Sequence, residues 1–451
     1  MGNAMAATKL PIPYFVFAFA CLGTAAIALP FFAADVLAQH HYTQRTVAFT
    51  HLVSLGWITS VILGSAVQLV PVALGTKLYS TRLPRWGFWL HVIGVSGMVA
   101  SFWVWNFHWL LWFGSSFTLG LILFIYNMLR SIKKAPVRDV VSVHISTALF
   151  YLVLTFLAGQ YLMHDKVISF SPFHVLCAIH AHAHLAVLGW FFMMIIGVSY
   201  RLIPMFTLSK IQSPRRIWTG YAALNLGIPM LFVGLLLQQN WTWIAAVPLM
   251  TGLGCWFFEM QAVYRMRQRP ALDEALKQMR IAIFHLPILA AFGFWLALPE
   301  AAPSAWKAQA QTGYGILALF GFVTLFIMAV MYKIVPFLVW YQIYPPLIGK
   351  QSVPSLSDLF SHRLQKISCG IFLAGIWATV ISSSLGEKIP LAVIQSAASL
   401  MGLGLILFVA NMGWIFSKLN RSCPIAMAWL QIQKWWTGTT PLKIASPHKS
   451  P

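Results

Sequence analysis

Long uncharged runs alternate with short polar connections along the whole chain. Taken as helices of roughly 17 to 25 residues, the length a bilayer demands, the runs number twelve, over about 13–33, 47–71, 87–106, 109–130, 140–162, 174–199, 218–237, 241–263, 280–298, 312–339, 368–386 and 393–417. The connections are of two kinds, in alternation. Basic residues gather after every second run: Lys77, Arg82 and Arg85; Arg130, Lys133, Lys134 and Arg138; Arg201, Lys210, Arg215 and Arg216; Arg265, Arg267, Arg269, Lys277 and Arg280; Lys333, Lys350, Arg363 and Lys366; and finally Lys418, Arg421 and Lys434. The intervening connections carry only Arg45 with Asp35, Asp165 with Lys166, Glu300 with Lys307, and Glu387 with Lys388. This alternation follows the positive-inside rule and puts both termini in the cytoplasm. The pattern predicts an all-α polytopic membrane protein with twelve transmembrane helices, a membrane domain over 13–417 and a cytoplasmic tail over 418–451.

The spans repeat. His51 to Pro71, HLVSLGWITSVILGSAVQLVP, matches His184 to Pro204, HLAVLGWFFMMIIGVSYRLIP, at a shift of 133 residues, and Ile316 to Pro336, ILALFGFVTLFIMAVMYKIVP, keeps the frame 132 residues further on. These are spans two, six and ten, so the unit is four helices long and occurs three times, each copy entering from the same side. A parallel threefold repeat predicts a pseudo-threefold arrangement. It differs from the twofold and inverted repeats common among secondary transporters. Gly56 and Gly64, like Gly189 and Gly197, leave flattened positions for a neighbouring helix or a planar group. Pro71, Pro204 and Pro336 are expected to close their spans at the cytoplasmic surface.

Composition narrows the class further. Hydrophobic residues make up 59% of the 451 positions, charged residues 9%, and the mean hydropathy is +0.76, outside the range of soluble chains. The net charge of +21 is explained by cytoplasmic loops held near anionic membrane lipid. No separate basic domain is left for nucleic acid. Five cysteines, at 21, 177, 255, 369 and 423, form no covalent heme-attachment motif.

The candidate chemistry is in the histidines. Nine of the fourteen, at 40, 41, 51, 108, 164, 174, 180, 182 and 184, fall in or near the outer half of the membrane. His91, His144 and His285 sit toward the cytoplasmic ends of their spans, while His362 and His448 lie in a loop and the tail. Imidazole inside a span faces the bundle interior or a cofactor, because lipid is a costly environment for it, and neutral imidazole ligates heme iron, copper or zinc. His51 and His184 occupy the same repeat position, where the third copy has Ile316. Repeat packing therefore does not itself demand a histidine there. His180 and His184 share a helix face, and His182 points to another. Cys177, three residues before His180, is a possible soft copper ligand, although a small buried cysteine fits the position as well. Of nine acidic residues only Glu259 falls within a span, which gives a proton pump little to work with.

On THLVSLGW in span two, HAHAHLAVLGW in span six, and the threefold four-helix repeat, the sequence resembles the catalytic-subunit superfamily of heme–copper oxidases and nitric oxide reductases. Within it, the chain is similar to the twelve-span heme- and copper-containing membrane proteins of the nitric oxide stress response. The resemblance implies helices in three arcs, a low-spin heme on a span-two histidine near the outer side, and a span-six histidine at a copper centre. Carried over, it implies His51 and His184 as cofactor-binding residues, with His180, His182 and His184 as metal ligands. The implied cofactors are heme b and, as a second candidate, copper; the implied partners are membrane lipid and a redox partner protein or quinol, in the bacterial inner membrane. Three family features are missing, one of them the span-six His-x-x-x-Tyr pattern. The span-ten His-x-His pair is replaced by QTGYGILALFGF with Tyr314, and the histidine pair opening span seven by GYAALNLGIPM. The standard binuclear centre is therefore not expected, nor is oxygen reduction at oxidase rates. A heme protein of electron transfer or nitric oxide handling is the leading expectation. A non-catalytic electron conduit of an oxidoreductase complex and a metal-trafficking or small-molecule transporter stay open beside it.

Overall fold

The computed structural model describes residues 9–38, 42–136, 138–299, 305–385 and 388–419. His40, His41 and the tail beyond 419 lie outside them. Among the described residues every regular element is helical, and twelve helices are long enough to span: α1 (Pro11–Ala38), α2 (Gln44–Ala73), α3 (Leu83–Trp103), α4 (Phe107–Lys133), α5 (Val140–Ile168), α6 (Val175–Thr207), α7 (Pro214–Leu236), α8 (Thr242–Arg265), α9 (Glu274–Ala297), α10 (Trp306–Ile343), α11 (His362–Leu385) and α12 (Leu391–Ser417). Eleven also have the hydropathy of a membrane span. α3 is the remaining one, diluted by Arg85 and His91. Polar caps begin many of these helices. Thr43, Asn106, Asp139, Ser213 and Asp273 each accept a bond from the backbone N–H three residues on.

The threefold repeat is visible in the backbone. α2, α6 and α10 are each interrupted by eight residues of π-helix, over Leu52–Thr59, Leu185–Phe192 and Leu317–Thr324, in the same frame that relates the sequences. π-turns are rare and cluster at functional sites. The central position of these helices shows in their burial: their apolar windows are 72%, 78% and 78% buried, against 33–50% for the other candidate spans. The π-segment of α10 touches those of α2 and α6. At matched positions Trp57, Trp190 and Phe322 are all at most 1% exposed, and the Trp57 Nε1–H donates to Thr324 Oγ1 at 3.3 Å.

Glycines set the spacing around this centre. A Cβ on Gly56 would come within 2.8 Å of Cys21 on α1, and one on Gly189 within 2.7 Å of Tyr151 on α5, so in the first two repeats the first helix is drawn against the second. The third and fourth helices form tight hairpins in the same way: Gly94 against Phe117, Gly227 against Leu249, and Gly404 against the Phe372 backbone. The prolines do not end their helices. α6 continues three residues past Pro204 and α10 seven residues past Pro336; proline removes one backbone donor, and burial among neighbouring helices tolerates that loss within a span.

The hairpin packing has a direct test. A Cβ on Gly404 would sit 2.6 Å from the Phe372 nitrogen, whereas one on Gly413 in the same helix meets nothing within 4 Å. Gly404→Ala is expected to destabilise the protein by about 1–3 kcal/mol, read as a lower Tm in detergent, while Gly413→Ala leaves Tm unchanged or slightly raised. Equal effects of the two substitutions would show that backbone contact does not set this interface.

Candidate functional site

The N-terminal halves of the three central helices, together with the helices around them, enclose a largely apolar chamber of about 610 Å³, within the size range of cofactor sites. His51, His180, His182 and His184 line it, joined by Tyr314 and Lys166. The remaining described histidines do not. His91 is 1% exposed and bonds Ser60 Oγ at 2.7 Å. His144 packs edge-on against Tyr200 and Tyr221, and His285 stacks on Trp377. Those three are packing residues between helices.

The π-turns place the key side chains. His51 and His184 are the last α-helical residues before the turn, and each bonds back to the carbonyl one turn earlier: His51 Nδ1 to Val47 O and His184 Nδ1 to His180 O, both at 2.8 Å. A carbonyl only accepts, so Nδ1 carries the proton in both rings and Nε2 keeps its lone pair. That is the tautomer of a metal-ligating histidine whose other nitrogen is anchored to a carbonyl. The same back-bond occurs at His144 and His285, so it is the chamber wall that singles out His51 and His184. Phe102 fixes the His51 ring from the side, with centroids 4.5 Å apart. Tyr314 stacks on His184 at 6.0 Å and 21°. Thr59 and Ser60 hydroxyls donate to the carbonyls of Ser54 and Leu55, five residues back, tying down the widened turn below His51.

A heme fits this donor set: an apolar chamber, imidazole nitrogens with free lone pairs, and a lysine on the wall. A three-histidine copper centre does not. His180, His182 and His184 all reach the chamber, but His182 lies against Gly159 of α5 and His184 against Tyr314 of α10. Among the described residues no three of His, Cys, Asp and Glu converge on a metal-sized site. Cys177 lies 3.9 Å from His174. Tyr314, Lys166 and Gly159 escape a sequence reading centred on histidine, although Tyr314 stands 132 residues after His182 in the repeat frame.

The fold and site define a polytopic membrane protein with three four-helix repeats around a histidine-lined chamber. Residues 1–112, which include His51, match the family model of cytochrome c and quinol oxidase polypeptide I. The bacteroid cytochrome c oxidase subunit 1 homolog of Bradyrhizobium diazoefficiens is 27% identical over 132 residues, covering 29% of this chain and 22% of that protein. The cbb3-type cytochrome c oxidase subunit CcoN1 of Stutzerimonas stutzeri is 39% identical over 70 residues, 15% of each chain. The cytochrome c oxidase subunit 1 homolog of Agrobacterium tumefaciens is 37% identical over 65 residues, 14% of this chain and 12% of that protein. The chain is a divergent heme–copper oxidase subunit I-like protein. The matched stretches span less than a quarter of each of these relatives.

The one fully buried carboxylate among the described residues is structural. Glu259 is fully buried, accepts from the backbone N–H of Gln212 at 2.6 Å and of Ser213 at 3.2 Å, and pairs with Arg216 at 3.0 Å. It ties the connection between α6 and α7 to α8 at the end of the molecule remote from the chamber. Glu259→Ala leaves these donors without an acceptor and is expected to cost on the order of 3 kcal/mol, seen as a lower Tm with cofactor content per folded protein unchanged. Loss of cofactor without loss of stability would place Glu259 in the site instead.

Proposed function

We propose that this protein binds heme b in the membrane and serves one-electron transfer or nitric oxide handling next to respiration, in the chamber lined by His51 and His184, with His51 as a ligand. The carrying observation is their shared repeat position, where each presents an anchored ring and a free Nε2 to one chamber, while the third copy has Ile316. A bound heme supplies the one-electron couple. The chain's own residues orient and shield it: Val47 O and His180 O hold the ligand tautomers, Phe102 and Tyr314 fix the rings, and buried Trp57, Trp190 and Phe322 exclude water from the far side. The relatives' names support a place beside respiratory electron transfer. Thr312 and Tyr314 stand where the family has its span-ten histidines, which favours a conduit or nitric oxide protein over oxygen reduction.

Purified protein is expected to show a Soret band and a sharp reduced α band, with oxygen consumption far below that of a terminal oxidase. His51→Ala should reduce heme content or change its spin state, and His362→Ala, at the start of α11 away from the chamber, should not. Normal heme content and spectrum in the His51→Ala protein would eliminate the ligand assignment.

The same reading places the basic connections on the cytoplasmic face of the bacterial inner membrane, and with them both termini. A reporter inserted at Ser355, between α10 and α11, should be active only as a cytoplasmic fusion. Periplasmic activity there would invert the topology and put the chamber on the inner side.

A further inference from the structure

The repeat frame that equates His51, His184 and Ile316 also equates the residues two before each of them. Phe49, His182 and Tyr314 correspond at shifts of 133 and 132. The structure pairs these two sets across neighbouring repeats. Between the second and third repeats, His184 of α6 and Tyr314 of α10 stack at 6.0 Å. The corresponding pair between the first and second repeats is His51 of α2 with His182 of α6, which line the same chamber and lie within electrostatic range of each other. The third boundary has the apolar pair Ile316 and Phe49, with Phe49 against Phe320.

Resting on the heme reading above, we propose that the heme sits at the boundary of the first and second repeats with His51 and His182 as its axial pair, and that His184 is not its ligand. His184 and His182 are two residues apart and so project roughly 200° apart around α6. His184 therefore faces the next boundary, where Tyr314 meets it and Gly293 leaves room for the tyrosine, a Cβ there falling 3.1 Å from its ring. Gly159 plays the same part for His182: a Cβ would come within 3.3 Å of its Cε1, so the absent side chain leaves the imidazole free to sit upright in the boundary. Nδ1 of His182 is buried without a hydrogen-bond partner, unlike the anchored Nδ1 of His51 and His184. A buried ring nitrogen without a partner is costly, and coordination is one way such a group is satisfied. Lys166, at the end of α5, lines the chamber on this side with its Nζ 5.3 Å from the Tyr42 ring, a cation suited to a propionate carboxylate. The span-two ligand is thus met from the second repeat rather than the third, where the histidines of span ten are missing.

The test uses the full chain purified in detergent, followed by optical and electron paramagnetic resonance spectra. His182→Gly is expected to convert the six-coordinate low-spin signal to a high-spin one, with added imidazole restoring low spin. His182→Met should keep low spin and raise the reduction potential, as methionine does opposite histidine; this second variant decides the matter if the glycine form does not fold. His362→Ala should match the parent protein. Loss of the low-spin signal in His184→Ala but not in His182→Gly, or no change in either, would overturn the axial pair while leaving a heme protein with His51 as ligand. Absence of heme from the parent protein would overturn the functional reading itself.

Discussion

Everything in this molecule is spaced by the contact of three central helices through their π-turns. An α-helix of bulky residues keeps its neighbours 8–10 Å away. The Leu-Gly-Trp, Leu-Gly-Trp and Phe-Gly-Phe segments share one layout: in the first two repeats the glycine lets the first helix approach on one side, and in all three the aromatic fills the centre on the other. Widening the turn rotates the helix above it relative to the helix below. The residues at the top of the turn, His51 and His184, can then face the chamber while the apolar residues beneath keep their packing. The rare backbone geometry and the chemically interesting side chains are therefore adjacent for one reason.

Threefold repetition of one backbone has not meant repetition of one chemistry. The three boundaries present His with His, His with Tyr, and Ile with Phe at matched positions. Polarity falls in steps around the axis while the frame of glycines and aromatics is retained. This is what a duplicated scaffold allows: once packing is secured by positions that do not face the chamber, the positions that do are free to diverge. It also explains why the heme–copper oxidase likeness is clearest in the first repeat, where the family model matches, and thins out where the span-ten ligands have been replaced.

The sequence was legible wherever a signal was periodic. Twelve helices, the alternation of basic connections and the parallel four-helix unit all follow from patterns of many residues, and the helices stand where those patterns place them. Chain ends of helices were less legible: Pro204 and Pro336 suggested stops, but interior packing carries α6 and α10 through them. The π-turns left no period to detect, since eight residues are too few, although the repeated Leu-Gly-aromatic marks them in hindsight. The site was half legible. His51 and His184 stood out by repetition and His182 by its place beside them, whereas Phe102 and Tyr314, which they face, lie on other helices and are brought near only by tertiary packing.

The distribution of polar groups limits what a cofactor in the chamber can be used for. The chamber histidines, Tyr314 and Lys166 lie on the side of the sparsely charged connections, and the buried ring of Trp57, Trp190 and Phe322 separates them from the basic face. The carboxylate on that far side, Glu259, is committed to Arg216 and two backbone amides. A proton crossing the protein needs a chain of ionisable or hydrated groups, and Glu259 is already held by these partners. An electron needs no such chain. The heme proposed for the chamber would exchange electrons on that same side. This is a simpler task than that of an energy-conserving oxidase, and it is consistent with a protein that has kept the family's frame while losing the span-ten histidines.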